Sequence, residues 1–133
     1  FVQAMQAAGV EPLAMIDGMY SAEVAAGVTR ALFAAPTVPD AIFVGNDHMA
    51  FAVMDVLRFG LGLSVPGDVA VIGYDDVPIA AWPSYDLTTI RQPVRRMVAA
   101  TVEALLAQIE GDAAPRKLRI DGPLILRGST RNP

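Results

Sequence analysis

PDAIFVGNDHMAFAVMDVLRFGLGLSVPGDVAVIGYDD, residues 39–76, contains one phrase twice: a short apolar run that stops abruptly at amides and carboxylates. The first copy is AIFVGND, residues 41–47, and the second is VAVIGYDD, residues 69–76. Both runs are too short for a free-standing helix and rich in β-branched residues. Each is introduced by a turn signal, Pro39-Asp40 in one case and Pro66-Gly67-Asp68 in the other. They read as buried parallel strands. Open parallel sheets hold their ligands beyond the carboxyl ends of the strands, where Asn46, Asp47, Asp75 and Asp76 fall. The stretch is therefore built to hold a small polar molecule.

Outward from this stretch the rhythm continues on both sides. Toward the start, FVQAMQAAGV reads as a helix stopped at Gly9, and residues 10–16 read as a further strand ended by Asp17-Gly18. Tyr20-Ser21 then opens a helix in which Ser21 is the N-cap, Glu23 suits the first turn, and Val24, Val28 and Leu32 recur at helical spacing. Between the two copies, residues 48–59 form a helix closed by Gly60 and Gly62. After Asp76 a loop carrying Pro78 and Pro83 has room for one helical turn, and residues 87–91 make a short strand. Pro93 sits at the first turn of a long helix with an apolar stripe running from Val94 to Ile109, stopped by Gly111-Asp112. The tail, residues 117–126, reads as two short strands separated by Asp121-Gly122-Pro123. Strands alternating with helices predict an α/β fold, a parallel sheet flanked by helices.

The helix over residues 48–59 is more apolar than one buried face requires. Ala50, Val53 and Leu57 can face the sheet, which leaves Phe51 and Met54 on another face beside Asp55 and Arg58. Either a neighbouring loop or a partner covers that second face.

Composition narrows the classes of function. The 133 residues are 53% hydrophobic, enough for one packed domain or a large part of one. No apolar run approaches the roughly 20 residues of a membrane span. The chain has no cysteine, which fits a cytoplasmic setting and removes disulfides and thiolate metal sites. A formal charge of −4 argues against a phosphate-backbone interface on this segment. The chain begins at Phe1, already inside a helix, and is read as a fragment of a longer protein.

Enzyme signatures are weak. Gly60-Leu61-Gly62 lacks the third glycine of a dinucleotide fingerprint and follows a helix, so it reads as a helix stop. His48 is the only histidine, which excludes the usual metal constellations, and no cofactor motif is present. No serine lies in a nucleophile elbow. Asp75 and Asp76 are neighbours at a strand end and point to opposite sides, so they do not make an acid/base pair. The competing account of these carboxylates is local backbone capping. Three successive strand ends, at Asp17, Asn46 and Asp75, favour a site, and its acceptors suit a hydroxyl-rich ligand. Tyr20 offers an aromatic face to a sugar or base, or is an ordinary partly buried tyrosine.

Nearly the whole chain resembles the effector-binding core of the LacI/GalR family of bacterial transcription regulators. The resemblance rests on residues 39–80, on LTTIRQP at residues 87–93, and on LILRGST at residues 124–130. It implies a periplasmic-binding-protein-like core whose two lobes close on an effector, with residues 1–86 as the C-terminal lobe. Residues 87–133 would be the segments that cross to the first lobe and return. It also implies that an N-terminal helix-turn-helix domain and the first half of the other lobe are absent from this chain, together with an arginine that grips the effector in many relatives.

Transferred by motif, the ligand-stacking aromatic falls on Tyr20, the ligand amide on Asn46, the ligand acid on Asp75 and a hinge contact on Gln92. Asp47 would cap the following helix, and Asp76 and Asp17 would brace the site. The resemblance further implies a homodimer through Phe51, Met54 and Asp55 and operator DNA bound through the absent domain, and the strand-end acceptors point to a sugar or polyol as the effector, with a purine-like ligand second. No enzyme activity is implied. A periplasmic-type sugar-binding protein of a transport system is the alternative.

Overall fold

A computed structural model describes residues 1–111 and 117–131. Asp112, read above as part of a helix stop, lies outside them. Four strands form one sheet in the order β1 (Ala41–Phe43), β2 (Ala70–Asp75), β3 (Thr88–Arg91) and β4 (Leu124–Ile125). The first three are parallel, and β4 pairs antiparallel with β3. The two sequence copies are thus adjacent strands, with Phe43 opposite Ile72. Asn46 and Asp75 each stand three residues beyond this pair, so they leave the sheet at matching places on its carboxyl edge.

The helices follow their local signals. Helix α1 spans Val2–Ala7, and α2 spans Ala22–Phe33 behind Ser21, whose side chain accepts from the Val24 amide as an N-cap should. Helix α3 runs over Asp47–Asp55 and continues as a single π turn, Val56–Gly60. Helices α2 and α3 pack on one face of the sheet. Met54, Leu57, Val69, Val71 and Leu87 are almost completely buried between them and the strands. Burial of each such side chain contributes about 1.5–3 kcal/mol. Leu87 stands just before β3, so the crossing strand is anchored in the same core.

Two expectations are corrected and one open alternative is decided. Residues 10–16 form no strand: Pro12 lacks an amide hydrogen to donate to a ladder, and Val10, Leu13, Met15 and Ile16 are all at least half exposed. In the tail, only Leu124–Ile125 pairs, and residues 117–120 do not. The apolar excess of α3 does not stand open to a partner. Met54 is fully buried and Phe51 nearly so, and the loop after β2 folds back over Phe51. That loop contains the 3-10 turn Pro78–Ala81 and ends at Tyr85, whose ring centroid lies 4.4 Å from that of Phe51. Arg58 donates to the Ser84 carbonyl at 2.6 Å and holds the loop in place. Asp55, on the same helix, remains exposed.

Helix α4 (Val94–Ile109) begins after Pro93, as its sequence indicates, but buries none of its residues. Its apolar stripe is open, with Val98 and Leu105 each more than half exposed.

Candidate functional site

The carboxyl edge of the sheet collects the residues singled out from the sequence. Asn46 ends the first copy and caps α3, its Oδ1 accepting from the Met49 amide at 2.8 Å. With Oδ1 so engaged, the Asn46 side-chain amide nitrogen is left to donate outward. Asp75 ends β2, and its Oδ1 accepts from the Gln92 side-chain amide. The Gln92 backbone amide also donates to the Asp75 carbonyl at 3.4 Å, extending the β2–β3 ladder past the Asp75–Arg91 pair. Asp75 and Gln92 are therefore brought together directly, and Asn46 stands at the equivalent point on the neighbouring strand.

Backbone strain concentrates at the same edge. Asp75 has φ 123 and Asp76 φ 60, while Met19 and Tyr20, in the loop before α2, have φ 50 and φ 52. Each such conformation costs a non-glycine residue about 1–3 kcal/mol, and such costs cluster at functional sites. Asp17 shapes that loop by accepting from the Met19 amide at 2.8 Å. Tyr20 itself is 84% exposed, with its ring free of the packed core.

Asp47 does not cap α3 as expected, because Asn46 already fills that position. Asp47 is completely buried, with Oδ2 accepting from the Val77 amide at 2.9 Å and Oδ1 from the Thr89 hydroxyl at 2.6 Å. Burial raises its pKa above the ordinary value of 3.8. The Thr89 and Val77 hydrogen bonds oppose that rise, and the negative charge of Asp75 adds to it. Gly73 passes so close that a Cβ there would collide with Asp47 Oδ1. This glycine is required by close approach, not by turn geometry.

Asp76 points the other way, into a pair of arginines. Its Oδ1 meets Arg127 Nη2 at 2.6 Å and its Oδ2 meets Arg91 Nε at 2.5 Å, with the carboxylate 5% exposed. Burial acts to raise its pKa, but the hydrogen bonds from Arg127 and Arg91 outweigh it and hold the carboxyl below 3.8. Sequence reasoning missed Thr89, Arg91 and Arg127. LTTIRQP and LILRGST contain all three, but nothing local in either phrase says which side chain reaches back to which strand end.

A parallel sheet with amide and carboxylate groups gathered at its carboxyl edge has the architecture of an α/β binding lobe. A profile of the periplasmic binding protein-like domain matches residues 1–130. The ribose operon repressor of Escherichia coli is 38% identical over 101 residues, covering 75% of this chain and 30% of the repressor. A LacI transcriptional regulator from a Rhodococcus species superposes with a TM-score of 0.86 at 35% identity, covering 98% of this chain and 48% of that one. The lac repressor dimer bound to operator and an anti-inducer gives a TM-score of 0.86 at 30% identity, covering 96% of this chain and 44% of that one. The chain belongs to the periplasmic binding protein-like domain family, in its branch of LacI-type regulators. It spans from about a third to a half of the length of these relatives.

Proposed function

We propose that this chain is the effector-sensing half-core of a LacI-type transcription regulator, and that the effector is a sugar or related polyol. The observation that carries the reading is the alignment of Asn46, Asp75 and Gln92 at adjacent strand ends, with Asp75 bonded to the residue where the chain leaves β3. Asn46 offers a donor, and Asp75 and Gln92 retain acceptor oxygens, which suits hydroxyl groups that both accept and donate. Tyr20 is the stacking face and Asp17 shapes the loop that presents it. Asp47 and Asp76 support the site from behind.

In this reading residues 1–86 are the C-terminal lobe and residues 87–133 the crossing segments. A preceding lobe completes the cleft, and a helix-turn-helix domain binds operator DNA in the cytoplasm. Effector held between the lobes favours one closure state, and a homodimer passes that bias to two DNA half-sites. Such a dimer uses the exposed outer side of α3, where Asp55 and Phe59 stand, and not the buried Phe51 and Met54. The role is sensing, with no bond made or broken.

Calorimetric titration of the full-length protein with mono- and disaccharides, and with a purine base for comparison, tests the reading. One sugar should bind, and Asp75→Ala should weaken that binding at least about tenfold. Binding of the purine alone would replace the sugar assignment, and undiminished binding by the variant would remove Asp75 from the site.

A further inference from the structure

Asp47 spends its two oxygens on two separate segments: Oδ1 on Thr89 of β3 and Oδ2 on the amide of Val77, in the loop after β2. Its own backbone begins α3. Asn46 precedes it by one residue, Asp75 precedes Val77 by two, and Gln92 follows Thr89 by three. One carboxylate therefore ties together the segments that present all three of the proposed effector contacts. We propose that Asp47 is a positioning residue, whose hydrogen bonds hold Asn46, Asp75 and Gln92 in one fixed register and join the effector edge to the strand that leaves this lobe.

Burial of a carboxylate at this place is costly, and an apolar side chain would fill the same volume without that cost. What an apolar side chain cannot do is accept from Thr89 and Val77 at once. The close passage of Gly73 removes any slack, because Asp47 Oδ1 fills the space that a Cβ would need. Helix α3, the β2 end and β3 consequently move as one body. An effector that draws on Asn46 or Asp75 acts on β3 through Asp47 as well as through the direct Asp75–Gln92 bond. This inference rests on the assignment of those three residues as effector contacts.

The test uses the full-length protein, with Thr89→Val removing the hydroxyl at nearly constant shape and Thr89→Ser retaining it. Residue-resolved hydrogen exchange is read at the Val77 amide, which donates to Asp47, and at the Met49 amide, which donates to Asn46. Thr89→Val should accelerate exchange at both about tenfold, leave amides inside α2 unchanged, and be reversed by Thr89→Ser. Unchanged exchange at Val77 and Met49, or equal acceleration throughout the chain, overturns the proposal. For whichever sugar binds the native protein, Thr89→Val should also weaken binding about tenfold. If no sugar binds the native protein, the proposed function fails, while the exchange result still decides the positioning role.

Discussion

Asp75 and Asp76 are adjacent residues with opposite duties, and the difference is set by what each carboxylate faces. Asp75 meets an uncharged amide at the open edge of the sheet, whereas Asp76 turns back into Arg91 and Arg127. Because the folded state holds Asp76 below its ordinary 3.8, its stabilisation is fully present above that value and is lost as pH falls through the depressed folded value. Asp76→Asn should therefore lower stability at pH 7 by about 2 kcal/mol, and urea titrations should show that gap closing as pH is lowered toward 3. A gap that stays constant with pH would mean that the arginines do not hold the carboxylate charged. Asp47 has the opposite sign. Its raised folded pKa makes its contribution fullest below 3.8 and weaker as pH rises through the folded value.

At the scale of elements, the parallel ladder between β2 and β3 is prolonged by a residue that belongs to neither strand. Ser129 donates through Oγ to the Val71 carbonyl at 2.6 Å, accepts from the Thr88 amide at 2.8 Å, and accepts from the Val71 amide at its own carbonyl. It is completely buried. Ser129→Ala leaves the Thr88 amide without its acceptor and should cost about 2 kcal/mol, read as a lower urea midpoint at unchanged slope. Such a role was not legible in RGST, since it depends on partners 41 and 58 residues away.

The elements that were legible carried their signals within a few residues. They are the twin strands with their turn dipeptides, α2 with Ser21, and α4 behind Pro93. Residues 10–16 have the apolar run of a strand, but Pro12 interrupts it with a residue that cannot donate to a ladder, and the segment pairs with no strand. In α3 the surplus apolar face was read correctly from its spacing. Its cover was left open between a loop and a partner, because Ser84 and Tyr85 become neighbours of Arg58 and Phe51 only after the chain folds back. At the candidate site, Asn46 and Asp75 stand out as polar ends of apolar runs, whereas Gln92 follows only from the family resemblance of LTTIRQP. Asp47 looked like a cap, because burial is a property of the whole arrangement and not of the motif.

For the whole molecule, the imbalance lies between a lobe that is sealed around Met54 and Leu57 and a helix that is not. Helix α4 exposes a stripe of valine, methionine, leucine and isoleucine, with Ile109 73% open, and Leu118, which lines a groove with Met97 and Leu105, is also exposed. A contiguous apolar surface of this kind seeks cover in water. The isolated 133-residue chain should bind a hydrophobic dye strongly and sediment as more than a monomer, and the full-length protein should bind little dye. Weak dye binding by the isolated chain would show that α4 folds back on this lobe.

Among the described residues no helix is long and apolar enough to cross a membrane. The arginine clamp on Asp76 bears also on the order in which the protein is made. Arg127 and Ser129 reach back 51 and 58 residues to Asp76 and Val71. A ribosome releases the two repeated strands long before it releases the residues that seal them. Until then Asp76 lacks one of its two cations and the Thr88 amide lacks its acceptor. The lobe is thus a late-closing structure during its own synthesis, and a nascent chain arrested before residue 127 would present the carboxyl edge of the sheet unfinished.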